Sequence, residues 1–272
     1  MLTTSTLLEH VQPVIELVPD VKLKQALTSA FEGEGEAIAA VERLFALVPE
    51  KKWSNEAISC LFNSWKATHL KMLGIYGLSC RLQILADSSE PDEQVLLLTA
   101  AAKNAETSHE DLGIDAGGLT HAELYDTFAG TYAEEGWQLK KHCLDSAREF
   151  SKWVYDNMVV EDIQVGLFTN MLSEIYNHGE YSTALPYFDQ YSDSFYELAP
   201  IEKASALTYI QAHIEDETEI GHFLVVLDSL NLYLRGTGNT LNYELAENVF
   251  RNYLKGIGRV MTDLEQHLRS EL

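Results

Sequence analysis

The chain has 272 residues, 42 of them acidic against 19 basic, for a formal charge of −23 with histidine neutral. That surplus excludes a nucleic-acid or anionic-membrane partner, since both need a basic face to displace counterions, and otherwise speaks of a well-solvated surface. Three scattered cysteines, Cys60, Cys80 and Cys143, make neither a disulfide framework nor a CxxC metal site. With no basic-then-apolar leader and no run of roughly 18 apolar residues, a protein of the reducing cytoplasm is expected.

Only six prolines occur, and apolar residues recur at three- and four-residue spacing from end to end, so the fold class is all-α, and one domain over 1–272 is expected. A first amphipathic stretch covers 4–17. A second runs from Asp20, an N-cap, to Val48, interrupted near Gly33 and Gly35. The longest apolar helix follows Ser54 and reaches Ala86, with Ile58, Leu61, Trp65, His69, Leu73, Tyr76, Cys80 and Ile84 as its stripe. Pro91 opens a segment that ends at Gly113, before the loop IDAGGL. Further helices are predicted over 120–133, 136–157, 161–178, 182–198, 201–235 and 241–270. The sequence contains neither GxGxxG nor GxSxG, which leaves nucleotide-binding and serine-hydrolase readings without support.

Nine histidines are present, and the informative ones sit beside carboxylates in otherwise apolar helices, where an unpaired charge is costly. In ETSHEDLGIDAGGLTH, Glu106, His109, Glu110 and Gly113 share the face of Val95, Leu98 and Ala102, and a Glu with a His one turn later offers two ligands to one metal. In EIYNHGEYSTALPYF, Glu174, His178 and Glu180 are ligand candidates; equally, His178 before Gly179 reads as a helix end and Glu180 as the next cap. In ALTYIQAHIEDETEIGHFLVVL, six titratable residues lie between apolar flanks. In one regular helix His213 and Glu217 face one way, and Glu215, Glu219 and His222 nearly the opposite way. A π-bulge would reconcile them, and a solvated acidic stripe beside one buried histidine is the plainer alternative.

The order of these segments over residues 90–230 resembles the heme-oxygenase-like diiron oxidase and oxygenase superfamily, which includes the chlamydial death-domain-associated protein. Asn104, Glu110, Asp111, Gly113 and His121 resemble one motif. Glu180, ahead of Pro186 and its aromatics, resembles a second, and Tyr209, His213 and Glu217 resemble a third, whose final histidine is displaced to His222. The resemblance implies a heme-oxygenase-like helical bundle in which Glu110, His121, Glu180, His213, Glu217 and His222 hold two iron ions, with manganese as an alternative and Glu106, His109 and Glu219 in reserve. It implies an O2-dependent oxidoreductase acting on a small organic substrate such as a fatty acid, amino acid or amine, needing neither flavin nor heme. A homodimer paired through apolar helix faces is the expected assembly. Two other readings stay open: a ferritin-like diiron carboxylate protein, built on Glu106-x-x-His109 and Glu219-x-x-His222, and a metal-free, thiaminase-like or partner-binding bundle.

Overall fold

Helical spacing yields helices, and residues 6–69, 71–114, 118–214 and 218–272 are those described by the computed structural model. Among them are twelve α-helices and no strand: α1 (Thr6–Glu16), α2 (Val21–Gly33), α3 (Gly35–Leu47), α4 (Asn55–His69), α5 (Met72–Asp87), α6 (Pro91–Glu106), α7 (His121–Tyr132), α8 (Asp145–Val159), α9 (Ile163–Phe195), α10 (Pro200–Ala212), α11 (Thr218–Thr237) and α12 (Tyr243–Arg269). Local chemistry sets several of the boundaries. The Asp20 carboxylate accepts from the backbone N–H groups of Lys22 and Leu23 and starts α2. Thr120 and Glu123 cap each other's backbone N–H groups (3.2 and 2.8 Å), which seats His121 as the first residue of α7.

Several expected boundaries differ, α6 among them, which ends at Glu106 and not at Gly113, and the differences shape the interior. The stretch 54–86 is two helices, α4 and α5; the Lys71 N–H bonds back to the His69 carbonyl at 2.8 Å, and the change of phase turns Leu73 and Ile84 outward to 70% and 69% exposure. Conversely, α9 runs unbroken for 33 residues through His178, Gly179 and Glu180. Gly179 does not stop it. A Cβ there would lie 2.7 Å from Val11 Cγ2, so this glycine lets α1 approach closely rather than ending a helix. Finally, 201–235 divides into α10 and α11, which places His213 just past the end of α10 and His222 within α11. Residues 136–144 form turns and a short 3-10 helix, Lys140–His142, before α8 instead of joining it.

The long helix α9 is the axis of the bundle, buried residue after residue from Gly166 to Tyr181 and packed by α1, α10, α11 and α12. One hydrophobic cluster extends from Leu7 to Leu268. Its aromatic centre has Trp65 of α4 stacked on Phe188 of α9, with ring centroids 5.6 Å apart. Residues on three helices are tied by Asn104, whose amide nitrogen donates to the Ile75 carbonyl (3.0 Å) and Ser79 Oγ (2.8 Å) of α5 while its oxygen accepts from Asn170 of α9 at 3.1 Å. No helix among the described residues is long and apolar enough to cross a membrane.

Candidate metal centre

Beside α9 lies a cavity of about 100 Å³ that is lined by four histidines, three carboxylates, two lysines and three tyrosines. Its floor is one face of α9, carrying Glu174, Asn177 and Tyr181. Other walls come from helix ends: His69 closes α4, Lys71 precedes α5, His121 opens α7, His213 follows the last turn of α10, and Glu219 and His222 sit in the first turns of α11. Helix ends leave backbone groups open and let side chains turn inward without breaking a regular helix.

The tightest group is Glu174, Glu219 and His222, each offering a ligand atom within 4.8 Å of the others. Both carboxylates are buried, at 1% and 3% exposure. Two such acids that close together do not both ionise in an apolar surround. Burial pushes Glu174 up, but the Lys71 ammonium, 2.8 Å from its Oε1, with His222 and Glu219 as further partners, holds it well below the carboxylate range. Burial and the charge of Glu174 raise Glu219 well above that range. Without a metal, then, Glu219 carries a proton that Glu174 does not.

Next to this trio, burial first and the neighbouring His121 second drive His213 well below its ordinary value, so its ring is neutral. Its Nδ1 lies 2.7 Å from Glu219 Oε1, and its Nε2 is buried without a hydrogen-bond partner. A neutral imidazole whose Nδ1–H donates to a carboxylate keeps its lone pair on Nε2, the form in which histidine binds metals. His121 lies with its ring centroid 4.6 Å from that of His213, and its Nδ1 is held by Asp111 at 2.7 Å. Tyr181 stacks on His213 at 4.2 Å and 7°, and its hydroxyl meets that of Tyr209 at 2.7 Å. Burial keeps both phenols protonated. Behind this wall Glu180 joins His69 Nε2 at 2.8 Å and accepts from the Tyr176 hydroxyl at 3.1 Å.

These observations fit a cation. The orphaned buried Nε2 of His213 and a trio of mixed imidazole and carboxylate donors are the arrangement iron and manganese accept.

Of the residues singled out in the sequence, His121, His213 and His222 come together on the cavity, and Glu180 stands just behind it. Glu106 is exposed at the end of α6, and neither it nor His109 lines the cavity. Glu217 and the Glu110 side chain lie outside the described residues. Glu219, a reserve candidate, and Glu174, one of three in its segment, are central. Asp111, part of the resemblance, serves as the partner of His121. His69 and Lys71 escaped notice as site residues. The signal was the histidine in the apolar stripe of α4, but no spacing announces a lysine that points inward from a break between helices. Asn104 is a structural tie rather than a ligand. None of the three cysteines lines the cavity.

No protein-family profile and no curated protein sequence matches this chain. Among solved structures it is similar to a TenA homolog from Pseudomonas syringae pv. tomato (TM-score 0.62, 12% identity, covering 91% of this chain and 93% of that one). It is also similar to a CADD-like protein of unknown function from Nostoc punctiforme (TM-score 0.59, 12% identity, 96% and 97% covered). At that identity the likeness is one of fold. The fold is the all-α, heme-oxygenase-like bundle that these helical proteins share.

Proposed function

We propose that this protein is a non-heme iron enzyme that uses O2 to oxidise or oxygenate a small organic substrate. The observation that carries the reading is the trio Glu174, Glu219 and His222, both of its carboxylates buried, beside the unpartnered Nε2 of His213. The resemblance over residues 90–230 and the fold shared with a CADD-like protein support it. Iron bound by Glu174, Glu219, His222 and His213 would supply the redox couple for reducing O2 at the expense of substrate, and manganese suits the same donors. His121 adjoins these donors with its Nδ1 held by Asp111, whereas both ring nitrogens of His69 are already engaged, by the Trp65 carbonyl and by Glu180.

The protein's own groups have separable tasks. The Asp111 and Glu219 carboxylates orient the His121 and His213 rings, fixing which nitrogen is left to bind. Tyr125, Tyr181 and Tyr209 build an apolar wall with hydroxyl edges, and a cavity of about 100 Å³ admits only a small molecule or the end of a longer one. The neutral Glu219 carboxyl holds one proton within the site, which an entering cation would displace.

A second reading has one observation in its favour. Lys71 already neutralises Glu174, so the cavity is partly balanced without any metal, as a metal-free enzyme on the fold of the TenA homolog would require. Anaerobic addition of Fe(II) followed by O2, with visible absorbance and iron content recorded, separates the two. The iron reading expects retained iron and a transient band, both lost in Glu219→Ala and His213→Ala. Wild-type protein that neither retains iron nor changes its spectrum overturns it.

A further inference from the structure

The cavity already contains a positive charge, and the way it is held bears on how many metal ions can join it. Lys71 is 9% exposed, and its ammonium lies against three oxygen atoms, all on one face of α9. Glu174 Oε1 lies at 2.8 Å and Ser173 Oγ at 3.1 Å. With the Asn177 amide turned so that its nitrogen donates to the Ser173 carbonyl, its oxygen accepts from Nζ at 3.2 Å. A lysine that merely passed along the wall would reach for solvent with its charged end. This one is fixed by Ser173, Glu174 and Asn177, which a buried ammonium needs to offset its desolvation.

The consequence falls on Glu174. Its Oε1 is taken by Lys71, whereas Oε2 faces the rest of the trio, 3.7 Å from His222 Nδ1. A carboxylate links two metal ions through its two oxygens, and here one oxygen is occupied. A second divalent ion at that oxygen would also sit at contact distance from a fixed positive charge, which the water-poor interior screens poorly. Resting on the metal-centre reading above, we infer that Lys71 takes the place of a second metal ion, so that each chain binds a single divalent ion at Glu174, Glu219 and His222. Glu174 then bridges an ammonium and a metal rather than two metals, and the neighbouring imidazoles serve that one ion or the substrate.

Co(II) alone is the probe, added anaerobically in equilibrium dialysis to the full chain, with bound metal measured by elemental analysis. Wild type is expected to saturate at one ion per chain. Lys71→Met, which keeps length and removes charge, is expected to bind its first ion at least about tenfold tighter, because the competitor for Glu174 is gone. Lys71→Arg, which keeps the charge, should retain the single-ion stoichiometry. Two tightly held ions in wild type overturn the inference, as does unchanged affinity in a folded Lys71→Met protein. Should that variant fail to fold, the wild-type stoichiometry decides alone. Binding of no cobalt by any variant defeats the metal centre itself, a result distinct from the binding of two.

Discussion

Asn104→Ala tests whether a motif residue is there for stability rather than chemistry. Asn104 is fully buried and its amide makes three hydrogen bonds, to Ile75, Ser79 and Asn170. Each is worth about 1 kcal/mol net. Ile75 and Ser79 lose least, because the Ser79 hydroxyl already donates to the Ile75 carbonyl at 3.0 Å. Asn170 fares worst: its oxygen has no hydrogen-bond partner, and its nitrogen would lose the bond to Asn104, leaving a buried donor that costs about 1–3 kcal/mol. Together with a small cavity the expected loss is about 3–5 kcal/mol. Urea unfolding of metal-free protein, followed by circular dichroism, measures it. Asn104→Ala combined with Asn170→Ala should cost clearly less than the two singles summed, since the orphaned amide is removed with its partner. A single-variant loss below about 1 kcal/mol, or strict additivity, would refute the idea that this asparagine ties α5, α6 and α9 together.

Other outcomes follow from neighbouring features. Glu174→Gln should destabilise metal-free protein by about 3–5 kcal/mol, because the Lys71 ammonium remains buried without its anion, and adding Lys71→Met should restore much of it; denaturation midpoints of the three variants decide. Gly179→Ala places a Cβ 2.7 Å from Val11 and 3.0 Å from Leu7, so overpacking should outweigh the helix-propensity gain and lower stability by about 1 kcal/mol; a raised melting temperature would show that α1 does not press on α9 there. Asp20→Ala should cost about 1–2 kcal/mol near neutral pH, through the α2 cap and the Tyr243 hydroxyl bond. Burial raises the Asp20 pKa, but the Leu23 N–H, the Tyr243 hydroxyl and the Lys22 N–H outweigh it and lower the folded value. Its ionised form therefore stabilises the fold above about pH 4, and that part is lost as pH falls through the depressed pKa. The gap between wild type and Asp20→Ala should accordingly narrow in acid, and a gap independent of pH would contradict the assignment.

Helical class was legible because periodicity reports which faces are buried, and the acid-and-histidine segments were legible because charge inside an apolar pattern is costly. Connections were harder to read. Gly179 looked like a stop because glycine commonly ends helices, but its actual neighbour is α1, more than 160 residues away in sequence. His213 and His222 seemed to face opposite ways because a continuous helix was assumed between them. With α10 ending at Ala212 and α11 beginning at Thr218, the difficulty disappears. Lys71 was invisible for a related reason: a single lysine after an apolar stripe looks like solvent-facing charge until its oxygen neighbours on a distant helix are known.

The two sides of the cavity differ in mechanical character. Ser173, Glu174, Asn177 and Tyr181 are carried by an uninterrupted helix whose spacing is fixed at about 1.5 Å per residue. His69, Lys71, His121, His213 and Glu219 hang from places where five other helices begin or end. Helix termini open at lower free energy than helix centres. Amide hydrogens of α9 should thus exchange slowly, while those near positions 71, 121 and 219 exchange faster and slow when a ligand arrives. Guests would enter by loosening the rim of the cavity while its backbone support stays still.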